Sequence, residues 1–151
     1  MPAVASRLGI DLYPVSPGDA DGVRWLRALV WPDHRERANR LDQAVPVAVA
    51  NPPQMVAGDA LRVLPDLVHA IPAEAVPVVY HSHTLAHFTA EARQHFVEDL
   101  LPGLGRQRNL MWLACEGSRM DLTVWRNGAR TDRELARRDP HGAWLEWRDR
   151  T

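Results

Sequence analysis

Val76-Pro77-Val78-Val79-Tyr80-His81-Ser82-His83 decides the reading of this chain. The run from Val76 to Tyr80 is almost wholly apolar, with no polar alternation. A short run of that kind suits a strand buried on both faces, as in a parallel sheet. The segment then turns polar at once. A period of two puts His81 and His83 on the same side of the strand. In open α/β sheets, ligands sit beyond the carboxyl ends of the strands, where these three polar residues fall.

The neighbouring segments repeat the pattern. Upstream, Gln54 to Gly58 reads as a short strand ending in Gly58-Asp59. Leu61, Leu64, Leu67, Val68 and Ile71 follow at helical spacing, with Pro65 among them. Nearer the start, Leu8, Ile10 and Leu12 alternate with Arg7, Gly9 and Asp11, the period of a strand. Pro14, Pro17 and Gly18 close it, and Asp19 or Asp21 can cap a helix carrying Val23, Leu26, Leu29 and Val30 on one face. A second helical stretch runs from about Asp33 to Ala50. Pro46 is expected to bend or break it, and Asn51-Pro52-Pro53 stops it.

Downstream, Thr89 can cap a helix that buries Ala92, Phe96, Val97, Leu100 and Leu101, with Pro102-Gly103 expected to end it. Leu110 to Cys115 reads as another buried strand, ending at Glu116-Gly117. The tail is antiparallel in pattern. Leu122 to Trp125 alternates, Asn127-Gly128 signals a tight turn, and Ala143 to Trp147 alternates again. Arg130 to Asp139 fits either class. Alternation of strands and helices favours a single α/β domain over residues 1–151, with a mainly parallel sheet, helices on both faces and antiparallel strands at the C-terminal end.

Composition narrows the function. The chain has 151 residues, 46% hydrophobic and 25% charged, and a formal charge of −1. That balance calls for neither nucleic acid nor an acidic membrane. No apolar run reaches the roughly 18 residues of a membrane span, and Met1 to Arg7 lacks a signal pattern, so a cytoplasmic protein is expected. All basic residues are arginines. Lysine chemistry is thereby excluded: no Schiff base, no P-loop lysine, no Ser–Lys pair. Cys115, the sole cysteine, excludes an internal disulfide and a cysteine-based zinc ribbon.

The strand ends carry Asp11, Asp59, His81-Ser82-His83 and Glu116. Each also has a plainer reading, since chains turn polar on leaving a core and acids cap helices. His81, His83 and His87 form an H-x-H-x3-H set that suits zinc or iron, with Glu116 or Asp59 as a carboxylate ligand. Histidines so placed also line polar pockets or bond to backbone. Ser82 lacks the small neighbours of a nucleophile elbow. Cys115 ends an apolar strand and reads as a buried thiol.

Several segments resemble the bacterial domain-of-unknown-function 2332 family. They are Gly9-Ile10-Asp11-Leu12-Tyr13-Pro14, Arg24-Trp25-Leu26-Arg27-Ala28-Leu29-Val30-Trp31-Pro32, Pro52-Pro53, Gly58-Asp59-Ala60, Val79-Tyr80-His81-Ser82 and His141-Gly142-Ala143-Trp144-Leu145-Glu146-Trp147. Members are usually longer, about twice this length, and their front half carries a glycine-containing strand–turn segment. The combined layout is similar to the class I S-adenosylmethionine-dependent methyltransferase fold, a three-layer Rossmann-like architecture. That resemblance makes the first strand here the second of seven. It implies that Asp11 and Asp59 bind the cofactor, at its ribose and adenine, and that His81 and His83 are catalytic residues beside the substrate.

Nothing in the chain matches the glycine turn, whose strand is central in that fold. The resemblance therefore implies a truncated methyltransferase-like domain without autonomous catalysis, retaining a small-ligand pocket. Because an unpaired strand edge is a liability, it also implies a homodimer. The alternatives are an active methyltransferase completed by another chain and a histidine-ligated metal-dependent enzyme.

Overall fold

The structure, a computed structural model, describes residues 3–140 and 142–148. Met1 and Pro2 of the start and His141 of the C-terminal match lie outside them. Seven strands and five α-helices follow in the order β1 (Leu8–Asp11), α1 (Ala20–Ala28), α2 (Arg35–Ala50), β2 (Gln54–Ala57), α3 (Ala60–His69), β3 (Val78–Ser82), α4 (Ala90–Gln94), α5 (Leu101–Gln107), β4 (Leu110–Glu116), β5 (Arg119–Arg126), β6 (Ala129–Arg138) and β7 (Leu145–Trp147). By internal contacts the chain divides into two compact units, Met1–Arg62 and Val63–Thr151.

In the first unit β1 and β2 form a two-stranded parallel sheet, with Leu8 opposite Gln54 and Asp11 opposite Ala57. Helix α1 starts as its sequence dictates. The Asp19 carboxylate accepts the N–H of Asp21, satisfying one of the donors that a helix start leaves over. Arg27 of α1 pairs with Asp42 of α2 at 2.7 Å. Helix α2 runs through Pro46 without a break. Pro46 forfeits its own N–H, so the Asp42 carbonyl one turn back lacks its usual helical donor.

In the second unit five strands lie in the order β3-β4-β5-β6-β7. Only β3 and β4 are parallel; the other three pairings are antiparallel. The fold is thus mixed α/β, and the expectation of one mainly parallel sheet is corrected to a parallel pair plus a mostly antiparallel sheet. The reason is local. Gly117-Ser118 joins β4 to β5 as a two-residue hairpin, with Gly117 at φ +54°, so no crossover intervenes. Asn127 (φ +52°) and Gly128 (φ +79°) make the next hairpin, the left-handed pair that a type I′ turn requires. The undecided stretch from Arg130 becomes β6. Its charged side chains are largely exposed, while Leu135 and Ala136 enter the core.

The helical run after Thr89 also outlasts its expected stop. Thr89 caps α4 through the N–H of Ala92. A π-helical segment, His95–Leu100, then leads into α5, which holds Pro102 in its first turn. Proline is tolerated there because its missing N–H is one that a helix start leaves unpaired. The core of this unit joins Leu64 and Val68 of α3, Leu101 and Leu104 of α5, and Leu110 and Trp125 of the sheet. Arg108 fixes the connection from α3 to β3. Its Nη1 donates to the carbonyls of Val68 (2.7 Å) and Ile71 (2.9 Å), and its Nη2 to those of Pro72 (3.1 Å) and Ala75 (2.9 Å).

The approach of α5 to the sheet depends on a missing side chain. A Cβ on Gly105 would collide with the Trp125 indole, whereas one on Gly103 would meet nothing within 4 Å. Gly105→Ala is expected to lower unfolding stability by about 1–3 kcal/mol through overpacking. Gly103→Ala should raise it by about 0.5–1 kcal/mol, because a helical glycine loses more entropy than alanine. Urea unfolding of the two variants checks the pair.

Candidate functional site at the carboxyl ends of β3 and β4

The parallel register sets His81 opposite Ala114 and Ser82 opposite Cys115. The His83 N–H extends the ladder by one bond to the Cys115 carbonyl, at 3.0 Å. The two strands therefore end together, and His81, Ser82 and His83 stand beside Cys115 and Glu116.

Glu116 organises this end. Its Oε1 accepts from His81 Nδ1 (2.8 Å), from the Thr84 N–H (2.8 Å) and from the Leu85 N–H (3.2 Å). On the other side of the buried His81 ring, Trp112 Nε1 donates to Nε2 at 2.9 Å. An indole N–H can only donate. Nε2 is therefore bare, and Nδ1 carries the proton directed at Glu116. Phe96, from the π-helical segment, meets the His81 ring edge-on at 5.8 Å.

The charges follow from this packing. Burial lowers the His81 pKa below its ordinary value, against the opposing pull of Glu116. Burial would raise the Glu116 pKa, but the Leu85 and Thr84 N–H groups and His81 together bring it below the usual carboxylate value. At neutral pH the pair is a neutral imidazole and a carboxylate. His81, expected as a catalytic residue, has both ring nitrogens bonded within the protein.

His83 differs. Its backbone lies at φ +54°, a left-handed conformation uncommon for a residue with a Cβ. Its Nε2 is 2.9 Å from the Pro140 carbonyl and 2.9 Å from Arg138 Nη2. One nitrogen cannot donate to the first and accept from the second at once, so its partner changes with the tautomer. Arg138 Nη2 also donates to the Cys115 carbonyl at 3.1 Å. Burial pushes the Cys115 thiol up, with Glu116 and Asp121 adding to the effect and Arg138 opposing it, so the thiol stays protonated at neutral pH.

Asp11 and Asp59 belong to the first unit. Asp11 ends β1; its Oδ1 accepts the Tyr13 N–H at 2.8 Å, and its carbonyl accepts the Gly58 N–H at 2.9 Å. Asp59 follows directly, and its Oδ1 accepts the Leu61 N–H at 2.9 Å at the start of α3. The register of β1 with β2 brings both exposed carboxylates to the same end of their sheet.

Residues 1–147 match the model of a family described as an uncharacterized protein conserved in bacteria, DUF2332. The chain belongs to that family. No curated protein and no solved structure matches it.

Other parts of this DUF2332 member are less suited to chemistry. Among the described residues, no three His, Cys, Asp or Glu side chains converge as a metal ion needs, so His81, His83 and His87 do not assemble into the set that their spacing suggests. A cleft of about 380 Å³ opens at the amino ends of β3 and β4, beside His69, Val76 and Arg108. Both terminal nitrogens of that arginine are already bonded to carbonyls. The reading of the sequence missed Trp112 and Arg138. Trp112 sits in an apolar pattern that reads as core or interface, and Arg138 sits in the stretch whose period fits either class.

Acid should expose the His81–Glu116 pair. The unfolded histidine takes up a proton near pH 6.5, whereas the folded one does so only at lower pH. Stability is therefore full above about pH 6.5 and falls as the pH drops through the folded value. Urea unfolding between about pH 7 and 5 should show this slope, and His81→Gln should flatten it. Glu116→Gln should lower stability at neutral pH by about 1–2 kcal/mol, because bonds to a charged acceptor are roughly twice as strong as neutral ones.

Proposed function

We propose that this DUF2332 member is a methyltransferase-like α/β protein that holds a small nucleoside ligand of the S-adenosylmethionine class at its strand carboxyl ends, without completing a catalytic cycle alone. The observation that carries this reading is the pairing pattern. Both parallel pairs, β1 with β2 and β3 with β4, contain a helical connection and end in ionisable residues. That is the strand-end arrangement on which nucleotide-type sheets build their sites. Among the described residues, no strand pairs with both sheets.

In this reading Asp11 and Asp59 accept hydrogen bonds from ribose hydroxyls and the adenine amine. His83 is the candidate catalytic residue of the second unit, since its Nε2 exchanges partners with its tautomer. His81 is a positioning residue, held by Glu116 and Trp112, that shapes the loop bearing His83. S-adenosylmethionine, when bound, supplies an electrophilic methyl group.

Calorimetric titration with S-adenosylhomocysteine tests this. Binding is expected, with affinity reduced about tenfold or more by Asp11→Ala through loss of a charged acceptor. His83→Ala should leave the affinity within about threefold, because the nucleoside contacts are assigned to Asp11 and Asp59. No heat with the wild-type protein, or equal binding by Asp11→Ala, would contradict the proposal. Methyl transfer by the isolated chain would favour the active enzyme instead.

A further inference from the structure

β3 ends its sheet, and the directions of its main-chain groups can be read from its ladder with β4. The Pro77 carbonyl accepts from Met111, and the His83 N–H donates to Cys115. The odd-numbered residues of the strand thus bond to β4, and Val78, Tyr80 and Ser82 turn their N–H and C=O groups to the open edge. Among the described residues no main-chain partner meets these groups. The Ser82 carbonyl receives only the Thr84 hydroxyl, at 3.4 Å.

The two ends of the sheet are built differently. β7 is three residues long, contains Glu146 and is followed by Arg148, which pairs with Glu146 at 3.0 Å. Short length and charge are the usual guards of a sheet edge. β3 has neither a lysine, an arginine nor a carboxylate, and it exposes Val78 (59%) and Tyr80 (62%). The sequence leaves this edge unguarded.

It is also self-complementary. If two copies meet antiparallel about a two-fold axis at Tyr80, Tyr80 lies opposite Tyr80 of the second copy and Val78 opposite its Ser82. All three outward residues then fall at hydrogen-bonded positions, so every outward N–H and C=O finds a partner. A shift by one residue would set outward groups against inward ones. The exposed Val78 and Tyr80 side chains lie on one face, where opposed pairs add to the stabilisation.

We propose that this DUF2332 member forms a two-fold dimer by antiparallel pairing of β3 with β3 of a second copy, centred on Tyr80, to give one continuous ten-stranded sheet. The inference stands apart from the ligand reading, since it uses only the strand edge. The contact is small beside a standard protein interface, so the dimer is reversible and depends on concentration.

Sedimentation equilibrium should give a mass approaching twice 17.0 kDa as concentration rises. Tyr80→Glu, which sets like charges opposite each other, should shift the equilibrium at least tenfold toward monomer with an unchanged far-UV spectrum. In a second test, Tyr80→Cys should form a covalent dimer under mild oxidation, because directly opposed Cα atoms in such a pair lie about 5.5 Å apart, within disulfide reach. The wild type, whose Cys115 is buried, and Glu146→Cys should not. A wild type of single-chain mass at every concentration would overturn the proposal. So would a dimer untouched by Tyr80→Glu and uncrosslinked by Tyr80→Cys, or assembly that needs a different polypeptide on this edge.

Discussion

One carboxylate oxygen governs the end of the second sheet. Glu116 Oε1 gathers the His81 ring and the Thr84 and Leu85 N–H groups of the loop beyond β3. Without that acceptor, the partly buried donors of Thr84 and Leu85 lose their partner, and unpaired donors of this kind are costly. The charge remains in place because three donors outweigh the effect of burial. The neutral state of His81 remains in place for the complementary reason, with Trp112 and Phe96 excluding water around its ring. His83 inherits its position from both, since it continues the strand that they anchor.

That arrangement separates two histidines that look alike in the sequence. His81 and His83 are two apart and share a side of the strand, yet one is enclosed and the other stands at the tip in a left-handed backbone conformation. The enclosed residue can shape a loop but has no nitrogen left for a substrate. The half-buried one has competing partners in Arg138 and Pro140. The proposed division of roles follows from hydrogen-bond capacity rather than from the residue type.

Much of the fold was legible because local rules dominate it. Asp19 and Thr89 cap the helices that they were expected to cap, and Asn127-Gly128 turns the hairpin. The apolar runs before His81 and Glu116 are neighbouring parallel strands. What was not legible depends on distant partners. β6 is a strand because β5 pairs along its length, not because its own residues alternate cleanly. Pro46 and Pro102 were expected to break or end their helices; each lies instead inside a continuing helical run, Pro46 without a backbone hydrogen bond of its own. Arg138 reaches the site through the twist and register of three strands, which no spacing in the sequence encodes. Asp11 and Asp59 were legible as strand-end acids, and both also bond the local backbone as their plainer reading holds.

The central claim is that His81 is a fixed, neutral link between Trp112 and Glu116, leaving His83 as the histidine open to a ligand. Histidine nitrogen NMR on the labelled protein reads this directly. At neutral pH the account predicts one imidazole with a protonated Nδ1 and a bare Nε2, assigned to His81 by its loss in His81→Gln, and still neutral as the pH falls past the ordinary histidine value of about 6.5. An Nε2-protonated ring or an imidazolium at that residue would contradict it.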